Sequence, residues 1–350
     1  MRIGLFGLGR IGAFHANTLA ALPAVEELVV ADLVPSVAAQ VSAELAAHAP
    51  HVRVDIADSA DALLRAGVDG VVVAAATDAH PALVVAAVEA GVPVFCEKPI
   101  AGQVARSVEV ARRVADSGVQ VQIGYQRRFD PGFIAAREAV ASGELGWIHT
   151  LRSTTLDPAP PPAAYIAGSG GLYRDCGVHD YDAVRWVTGR EVAEVYATGA
   201  NRGAAYFAEA GDVDTSAIVL TLDDGALALV SNTRYNARGY DVRLEVHGSA
   251  DSVAAGLDDR LPLRSTEPGV SFPAGEPYPM FMARFLPAYR AELTAFTEVV
   301  AGTRTSPCTI ADALEAEWVA EACARSFREH RPVRVEEVRA SVAPTAEVTG

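Results

Sequence analysis

A glycine-rich turn near the start of the chain constrains the fold more than any other feature of the sequence. The turn, GLGRIG at residues 7–12, follows a short apolar run at residues 2–6 and precedes a helical pattern. A second apolar run ends at Asp32, 20 residues after Gly12. A glycine turn between a strand and a helix, with an acidic residue at the end of the next strand, is typical of a dinucleotide-binding domain.

The three glycines of this turn have separate roles. Gly7 permits the tight turn, Gly9 lets the backbone approach a pyrophosphate, and Gly12 lets the helix lie close to the sheet. The helix N-terminus attracts the phosphates. Asp32 would accept hydrogen bonds from a ribose diol and repel a 2′-phosphate, and no arginine follows it. The pattern therefore favours NAD over NADP, whereas a structural turn with a solvated aspartate would not account for the whole context.

The rest of the first half continues to alternate strand and helix patterns. Further apolar runs lie at residues 52–56, 70–76, 92–97 and 119–124, with helical stretches between them. Near-continuous apolar strands separated by helices predict a doubly wound parallel sheet that is covered on both faces. We place this NAD-binding Rossmann domain at residues 1–124.

The second half of the chain predicts a different kind of fold. Longer strand patterns lie at residues 193–201, 215–222, 226–236 and 241–249, and Asp224-Gly225 between two of them is a strong hairpin signal. Helical patterns follow at about residues 288–300 and 310–328. We therefore predict an α+β domain with a large open, mainly antiparallel sheet at residues 125–338, and a disordered tail at residues 339–350.

The two hairpin strands are apolar on nearly every residue. They read SAIVLTL and ALALVS, whereas a sheet with one face in water would alternate apolar and polar residues. We therefore expect another subunit to cover the second face, which predicts a homo-oligomer with sheet-to-sheet contact.

A stretch in the second half, RDCGVHDYDAVRW at residues 174–186, combines acidic and basic side chains. Its Asp175, His179 and Asp182 are spaced by four and three residues, which would put them on one face of one helix. Asp182 could contact a substrate, or pair with Arg185 or with another surface group. Taken alone, the histidine is more simply a hydrogen-bonded core residue and Asp175 an acid favoured by the helix dipole.

A lysine elsewhere in the sequence suggests a reaction in which this stretch could take part. Lys98 follows the strand pattern that ends in FCE, and open α/β sheets bind ligands at the carboxyl ends of their strands. Oxidation of a secondary alcohol needs a base for the hydroxyl proton, a positive charge near the developing alkoxide and a hydride acceptor. His179 suits the first role and Lys98 the second, with Asp175 orienting the imidazole. These groups would have to meet the nicotinamide in one cleft.

The composition of the chain limits the classes of molecule that we expect it to bind. The formal charge of -15, with no cluster of Lys and Arg, disfavours nucleic acid and anionic membranes as partners. No apolar run reaches the roughly 18 residues needed to span a bilayer. The four cysteines show neither CxxC pairs nor zinc-type spacing, so we expect reduced thiols in a cytoplasmic protein and no metal.

Several motifs together resemble the Gfo/Idh/MocA oxidoreductases over roughly residues 1–335. They are GLGRIG, FCEKPI, QRRFDP, a DPAPPP loop, DCGVHDYD and YDVRLEVHGS. The last three are similar to inositol dehydrogenases. The resemblance implies NAD-dependent oxidation of a cyclitol, foremost myo-inositol to 2-keto-myo-inositol, within inositol catabolism and by a homotetramer.

Other substrates and one other class of protein fit the same motifs. Scyllo-inositol, another cyclitol or a pyranose sugar could replace myo-inositol. A non-catalytic regulator that binds dinucleotide could share the fold, but such a protein could lose its reactive residues. The presence of Lys98, Asp175 and His179 therefore favours the enzyme.

The resemblance also implies roles for individual residues. Lys98, Asp175 and His179 form the catalytic set, and the Lys98–Pro99 bond is cis. These three and Arg127, Asp157 and Tyr240 face the substrate, and Glu97 lies near the nicotinamide ribose. The implied cofactor-binding residues are Gly7, Gly9, Arg10, Ile11, Gly12, Asp32, Thr77, His80, Glu97 and Lys98. The sequence departs from the family pattern in having Leu156 before Asp157, and CGV between Asp175 and His179.

Overall fold

The structure, a computed structural model, describes residues 1–342, which form two compact units. The first unit contains Met1–Gln126 together with Pro287–Leu314. The second unit contains Arg127–Leu286 and the described chain from Glu315 onwards.

The first unit is built on a six-stranded sheet in which every neighbouring pair is parallel. Its strands are β1 (Arg2–Phe6), β2 (Glu27–Ala31), β3 (Arg53–Ile56), β4 (Gly70–Val73), β5 (Val94–Glu97) and β6 (Val121–Gly124). They lie in the order β3-β2-β1-β4-β5-β6. This is the order of a doubly wound dinucleotide-binding sheet, so the predicted fold class is confirmed for this half.

Helices join these strands, and the central strands are almost wholly buried. The helices are α1 (Arg10–Ala20), α2 (Pro35–His48), α3 (Ala60–Arg65), α4 (His80–Glu89) and α5 (Val104–Ser117). Because both faces of the sheet are covered, its strands are apolar at consecutive positions, which is why the sequence pattern identified them. A short 3-10 turn at Thr77–Ala79 follows β4.

The second unit is built on a seven-stranded sheet that is mainly antiparallel. Its strands are β7 (Ile148–Leu156), β8 (Val192–Ala200), β9 (Thr215–Leu222), β10 (Leu227–Thr233), β11 (Asp241–Gly248), β12 (Ser252–Ala255) and β13 (Val333–Arg334). They lie in the order β12-β11-β7-β10-β9-β8-β13. The predicted α+β fold is confirmed, and β7 and β10 form a parallel pair within this sheet.

The predicted hairpin joins β9 and β10. The two strands pair antiparallel, and Gly225 at the turn has a φ of +89°, a conformation that glycine adopts readily. One face of this hairpin is buried through Ile218, Leu220 and Val230. The other face leaves Leu227 43% exposed and Leu229 41% exposed.

Six helices of the second unit lie between its strands. They are α6 (Pro131–Ser142), α7 (Ala163–Gly168), α8 (Leu172–Asp175), α9 (Val178–Thr188), α10 (Tyr206–Glu209) and α11 (Phe281–Arg284). A 3-10 turn at Gln126–Phe129 precedes α6. Asp130 caps α6 by accepting hydrogen bonds from the backbone N–H groups of Gly132 and Phe133.

The chain then continues through α12 (Leu286–Val300), α13 (Ile310–Glu329) and α14 (Val335–Val342). Leu293, Phe296 and Val299 of α12 are buried in the core of the first unit, with the Phe296 ring 5.9 Å from that of Phe95. Chain order alone predicts that this helix belongs to the second domain. An apolar stripe identifies a helix that must be buried, but it does not identify which sheet buries it.

The predicted disordered tail at residues 339–350 begins inside α14, and residues 343–350 lie outside the described residues. Within residues 1–342, no helix is both long enough and apolar enough to cross a membrane. Cys96, Cys176, Cys308 and Cys323 are buried, and none of them forms a disulfide.

Candidate active site

The glycine turn of the first unit is compact on one side and open on the other. Gly7 has a φ of +85°, and a Cβ atom there would lie 2.4 Å from Ala75 Cα. A Cβ atom on Gly12 would lie 1.9 Å from the carbonyl oxygen of Gly7. At Gly9 a Cβ atom would meet no atom within 4 Å. Gly7 and Gly12 are thus required by the turn, whereas Gly9 leaves a backbone surface that a ligand can approach.

The open side of the turn leads directly into α1. This helix begins at Arg10, has no acidic residue in its first turn, and receives no side-chain cap from Gly9. Its first backbone N–H groups carry the positive end of the helix dipole. Ile11 belongs to the same first turn, and Thr77 begins the 3-10 turn after β4. These features suit a phosphate ligand.

Asp32 lies at the carboxyl end of β2, next to the glycine turn. Its Oδ2 accepts a hydrogen bond of 2.7 Å from the Leu8 backbone N–H, and its Oδ1 accepts one of 2.8 Å from the Val34 N–H. The following side chain, Leu33, is 99% exposed. Because each carboxylate oxygen has more than one lone pair, this fixed carboxylate can still accept hydrogen bonds from a diol.

The segment around Lys98 is held by a buried histidine. The Lys98–Pro99 peptide bond is cis, as predicted. The two ring nitrogens of His80 lie 2.8 Å from the Pro99 carbonyl oxygen and 3.0 Å from the Ala75 carbonyl oxygen. His80 is buried and contacts backbone on both sides, so it can act on a cofactor by holding this turn in place.

Glu97, the residue before Lys98, contacts a histidine that the sequence analysis did not identify. His15 Nε2 lies 2.6 Å from Glu97 Oε1, and His15 is fully buried against the rings of Phe95 and Tyr289. The spacing between His15 and the glycine turn could have identified this histidine from the sequence. His15 comes three residues after Gly12 and therefore lies on the same face of α1, the face that packs close to the sheet.

In the second unit, the stretch that contains Asp175 and His179 does not form one continuous helix. Asp175 ends α8, His179 is the second residue of α9, and Cys176-Gly177 separates the two helices. A Cβ atom on Gly177 would lie 2.3 Å from Tyr181 Oη. The prediction of one helical face for Asp175, His179 and Asp182 was therefore wrong, because the spacing alone does not reveal this break.

The three side chains have separate surroundings. Asp175 accepts hydrogen bonds from Tyr165 Oη at 2.9 Å and from Arg234 Nη2 at 2.6 Å. His179 lies in the first turn of α9 and is partly buried. Asp182 is buried and forms a bidentate ion pair with Arg128, which is buried as well.

Two of the predicted substrate-binding residues lie at the same end of the second sheet. Asp157 follows β7 and Tyr240 precedes β11, and these two strands pair with Asp241 opposite Leu156. Asp157 accepts a hydrogen bond of 2.8 Å from Arg234 Nη1. Burial raises the pKa of Tyr240, so its phenol stays protonated at neutral pH and can donate a hydrogen bond.

We refer to Asp157, Asp175, Arg234 and Tyr240 as the carboxylate cluster. Cys176 belongs to the same surroundings, since burial and then the Asp157 carboxylate raise the pKa of its thiol. A thiol that stays protonated is a poor nucleophile, and the cluster therefore offers acceptors, donors and one fixed positive charge rather than a reactive sulfur.

Arg127 occupies a buried network next to the cluster. It is 1% exposed and donates hydrogen bonds to Asp180 Oδ1 at 2.8 Å and to Thr155 Oγ1 at 2.7 Å. Ser153 and Asn232 also donate to the Asp180 carboxylate. Burial opposes the charge of Arg127, but Asp180 raises its pKa overall. Asp180 thus fixes Arg127 and joins α9 to the strands β7 and β10.

The residues that sequence analysis missed in this unit, foremost Arg234 and Asp180, depend on strand pairing. Arg234 follows β10 directly, but nothing in the local sequence indicates that β10 runs parallel to β7. Within the part of the chain that the structure describes, no group of three or more His, Cys, Asp and Glu side chains could hold a metal ion.

Two family models match most of the chain. An oxidoreductase family model with an NAD-binding Rossmann fold matches residues 1–125, and a GFO/IDH/MocA C-terminal domain model matches residues 133–254.

Individual proteins extend the similarity over nearly the whole chain. A myo-inositol dehydrogenase from Streptomyces leeuwenhoekii is 38% identical, with 88% of this chain and 90% of that protein covered. A myo-inositol 2-dehydrogenase from Thermotoga maritima is 35% identical, with 97% and 99% covered. The crystal structure of scyllo-inositol dehydrogenase from Lactobacillus casei with bound NAD(H) and scyllo-inositol has a TM-score of 0.82 at 28% identity, with 96% and 99% covered.

Proposed function

The chain belongs to the GFO/IDH/MocA family of oxidoreductases, and from this premise we propose that it oxidises a cyclitol with NAD⁺, foremost myo-inositol to 2-keto-myo-inositol. The observation that carries the proposal is the carboxylate cluster at one end of the second sheet. A ring with many hydroxyls needs closely spaced acceptors and donors, and Asp157, Asp175 and Tyr240 supply them. Relatives named for myo-inositol support the choice of substrate.

The first unit has the features that NAD requires. The open backbone at Gly9 and the N-terminus of α1 would hold the pyrophosphate, and Asp32 would hold the adenosine ribose. Arg10, Ile11, Thr77 and Glu97 complete the proposed contacts, with His80 fixing the Lys98–Pro99 turn. When bound, NAD⁺ supplies the acceptor for the hydride that leaves the alcohol carbon.

We assign the proton chemistry to three side chains. The neutral imidazole of His179 takes the proton of the reacting hydroxyl, and the carboxylate of Asp175 stabilises the imidazolium that forms. The ammonium of Lys98 stabilises negative charge on the reacting oxygen. Asp157, Tyr240 and Arg127 orient the remaining hydroxyls of the ring, in our proposal.

A polyol screen tests this function. Purified protein is incubated with NAD⁺ or NADP⁺ and with a panel of inositol isomers, aldoses and linear polyols, and NADH or NADPH formation is followed by absorbance. We expect the highest kcat/KM with myo-inositol and NAD⁺, and a ketone product at carbon 2 by NMR. If neither a cyclitol nor an aldose reduces either cofactor, the proposal is refuted.

Scyllo-inositol is a second candidate, favoured by the similarity to the Lactobacillus casei enzyme. Its hydroxyls are all equatorial, whereas myo-inositol has one axial hydroxyl, so the two isomers present different patterns to fixed carboxylates. The ratio of their kcat/KM values decides between the candidates, because each value reports the free energy of that isomer's own transition state relative to free enzyme and free substrate.

Asp32→Ala should weaken NAD⁺ binding and relax the discrimination against NADP⁺. The variant loses a carboxylate that accepts from a diol and repels a 2′-phosphate, so we expect the NAD⁺ KM to rise by about tenfold and the ratio of NAD⁺ to NADP⁺ efficiencies to fall. Steady-state kinetics with each cofactor measure both effects. A wild type that prefers NADP⁺ would contradict this role of Asp32.

We also propose that the protein works in the cytoplasm as a homo-oligomer, foremost a tetramer, in which the exposed face of the second sheet meets a second copy. Tyr196, Leu227 and Leu229 on this face are 44%, 43% and 41% exposed. Exposed apolar surface of this kind favours association. Buried cysteines without disulfides suit a reducing compartment.

Leu229→Glu should break the sheet-to-sheet contact and lower the mass of the oligomer. A carboxylate buried between two sheets would lose its hydration without gaining a partner, at a cost of several kcal/mol for each copy. Light scattering coupled to gel filtration at micromolar concentration reports the mass. Leu257→Glu, at a position that is 53% exposed and outside this sheet, is the matched control and should leave the mass unchanged. A monomeric wild type would refute the proposed assembly.

A further inference from the structure

The parallel pairing of β7 and β10 brings two charged residues together. Thr233 is in register with Leu156 at the end of this pair, so the next residue of each strand, Arg234 and Asp157, leaves the sheet at the same end. The Asp157 backbone N–H donates to the Thr233 carbonyl oxygen at 2.9 Å, which fixes both strand ends. The position of Arg234 is therefore set by the sheet and not by a flexible loop.

The guanidinium of Arg234 contacts both carboxylates of the cluster. Nη1 donates to Asp157 Oδ2 at 2.8 Å and Nη2 donates to Asp175 Oδ2 at 2.6 Å. Arg234 is 5% exposed. Because the two nitrogens belong to one planar group, the guanidinium fixes the separation and the relative orientation of the two carboxylates.

The side chain of Arg234 is also held in its positively charged form. Burial alone would lower its pKa, but the neighbouring carboxylates of Asp175 and Asp157 raise it overall. The Nε–H group is buried, and no acceptor for it lies among residues 1–342. A purely structural ion pair gains little over apolar packing when one of its donors is left unsatisfied, so stability alone does not explain a guanidinium at this place.

From these contacts we infer that Arg234 is a positioning residue for the reaction, which holds Asp175 against His179 and Asp157 against the substrate ring. The inference rests on the proposed function. Tyr165 completes the arrangement by donating to Asp175 Oδ1 at 2.9 Å, so each oxygen of this carboxylate accepts a hydrogen bond from a side chain of the second unit. Arg234 also cancels the repulsion between two carboxylates that share one partner.

Removal of Arg234 should therefore impair catalysis through Asp175. Without the guanidinium, the two carboxylates repel each other, and Asp175 rotates or takes up a proton. A displacement of about 1 Å in a catalytic group can lower the rate by roughly 10²-fold. We expect Arg234→Lys and Arg234→Gln each to lower kcat by about this factor and to raise the polyol KM. A lysine offers its donors from a single nitrogen and a glutamine carries no charge, so neither reproduces the two charged donors of Arg234 at Nη1 and Nη2.

A double-mutant cycle separates positioning from a general loss of structure. It compares kcat for the wild type, Arg234→Lys, Asp175→Asn and the double variant, each normalised to the number of NADH-binding sites found by fluorescence titration. If Arg234 acts through Asp175, the double variant should be within about threefold of Asp175→Asn alone. If the two losses multiply, Arg234 acts independently and the assignment is overturned. Arg234→Gln repeats the cycle should the lysine variant fail to fold.

Arg185→Gln provides a matched control. Arg185 is also buried, lies on α9 and forms a bidentate pair with Glu191, but it belongs to no part of the proposed site. Its replacement should lower the Tm, leave kcat within about twofold and combine with Asp175→Asn multiplicatively. A wild type that oxidises no polyol overturns the proposed function and this assignment together, whereas an active wild type with multiplicative losses overturns the assignment alone.

Discussion

Replacing Lys98 with alanine should lower kcat for polyol oxidation by about 10³-fold, while the Kd for NADH stays within about threefold of wild type. The variant loses the ammonium that, in the proposed mechanism, stabilises negative charge on the reacting oxygen. The glycine turn and Asp32, which would hold most of the dinucleotide, are unaffected. Stopped-flow kinetics measure kcat, and fluorescence titration measures NADH binding.

The composition of the chain strengthens this prediction. Among its 29 basic residues, Lys98 is the single lysine and the rest are arginines. Arginine carries the same charge, but it cannot give up its proton in a protein and its planar fork is larger. A lysine at the end of β5 in a chain that otherwise uses arginine indicates that this position requires a compact amine.

Two comparisons make the Lys98 test decisive. Lys98→Arg keeps the positive charge and should still lose about 10²-fold in kcat, because the guanidinium places its donors differently. Reductive methylation of the wild type can modify only Lys98 and the N-terminal amine, and it should abolish turnover. Arg113→Ala, at an exposed position on α5, is the matched control and should behave as wild type. Unchanged turnover in Lys98→Ala would remove Lys98 from the mechanism.

The first unit could be predicted largely from the sequence because its signals are local. Strands buried on both faces appear as consecutive apolar residues, and the glycine turn has one geometry that only glycine at positions 7 and 12 permits. The position of α12 in this unit could not be predicted in the same way. Its apolar residues require burial, yet the neighbouring sheet is determined by contacts that are remote in the chain.

The second unit was predicted in outline, but its polar contacts were not. Two arginines that are adjacent in the sequence have different partners. Arg127 pairs with Asp180, and Arg128 pairs with Asp182. The contact between Arg234 and Asp157 joins residues that are 77 positions apart. Such pairs depend on strand register, and a shift of one residue would turn each side chain to the other face of the sheet.

The break at Gly177 shows why residue spacing was insufficient to predict the structure of the stretch that contains Asp175 and His179. A helical period would join Asp175 to His179, but α8 ends at Asp175 and α9 begins at Val178, and the hydroxyl of Tyr181 fills the space beside Gly177. Within the CGV segment that departs from the family pattern, Gly177 therefore leaves room for the side chain of Tyr181. Arg234 and Tyr165, rather than helical geometry, hold Asp175 in place.

His179→Ala should lower kcat by about 10³-fold, because the reacting hydroxyl then has no positioned base for its proton. A mutation that merely disturbed the fold would not be reversed by a small molecule, so chemical rescue is the informative measurement. Imidazole added at millimolar concentrations should enter the space left by the side chain and restore kcat by about tenfold, in proportion to the fraction of neutral imidazole.

The matched control for this rescue is His48→Ala, at an exposed position on α2, which should keep wild-type kcat and show no response to imidazole. Asp175→Asn in the same assay should lose activity without rescue, because added imidazole cannot replace a carboxylate that stabilises the imidazolium. If His179→Ala kept most of its turnover, or if imidazole left it unchanged while circular dichroism showed a native fold, the proton would have to leave through another group. The assignment of His179 as the base would then be withdrawn, and Lys98 would be the next group to test.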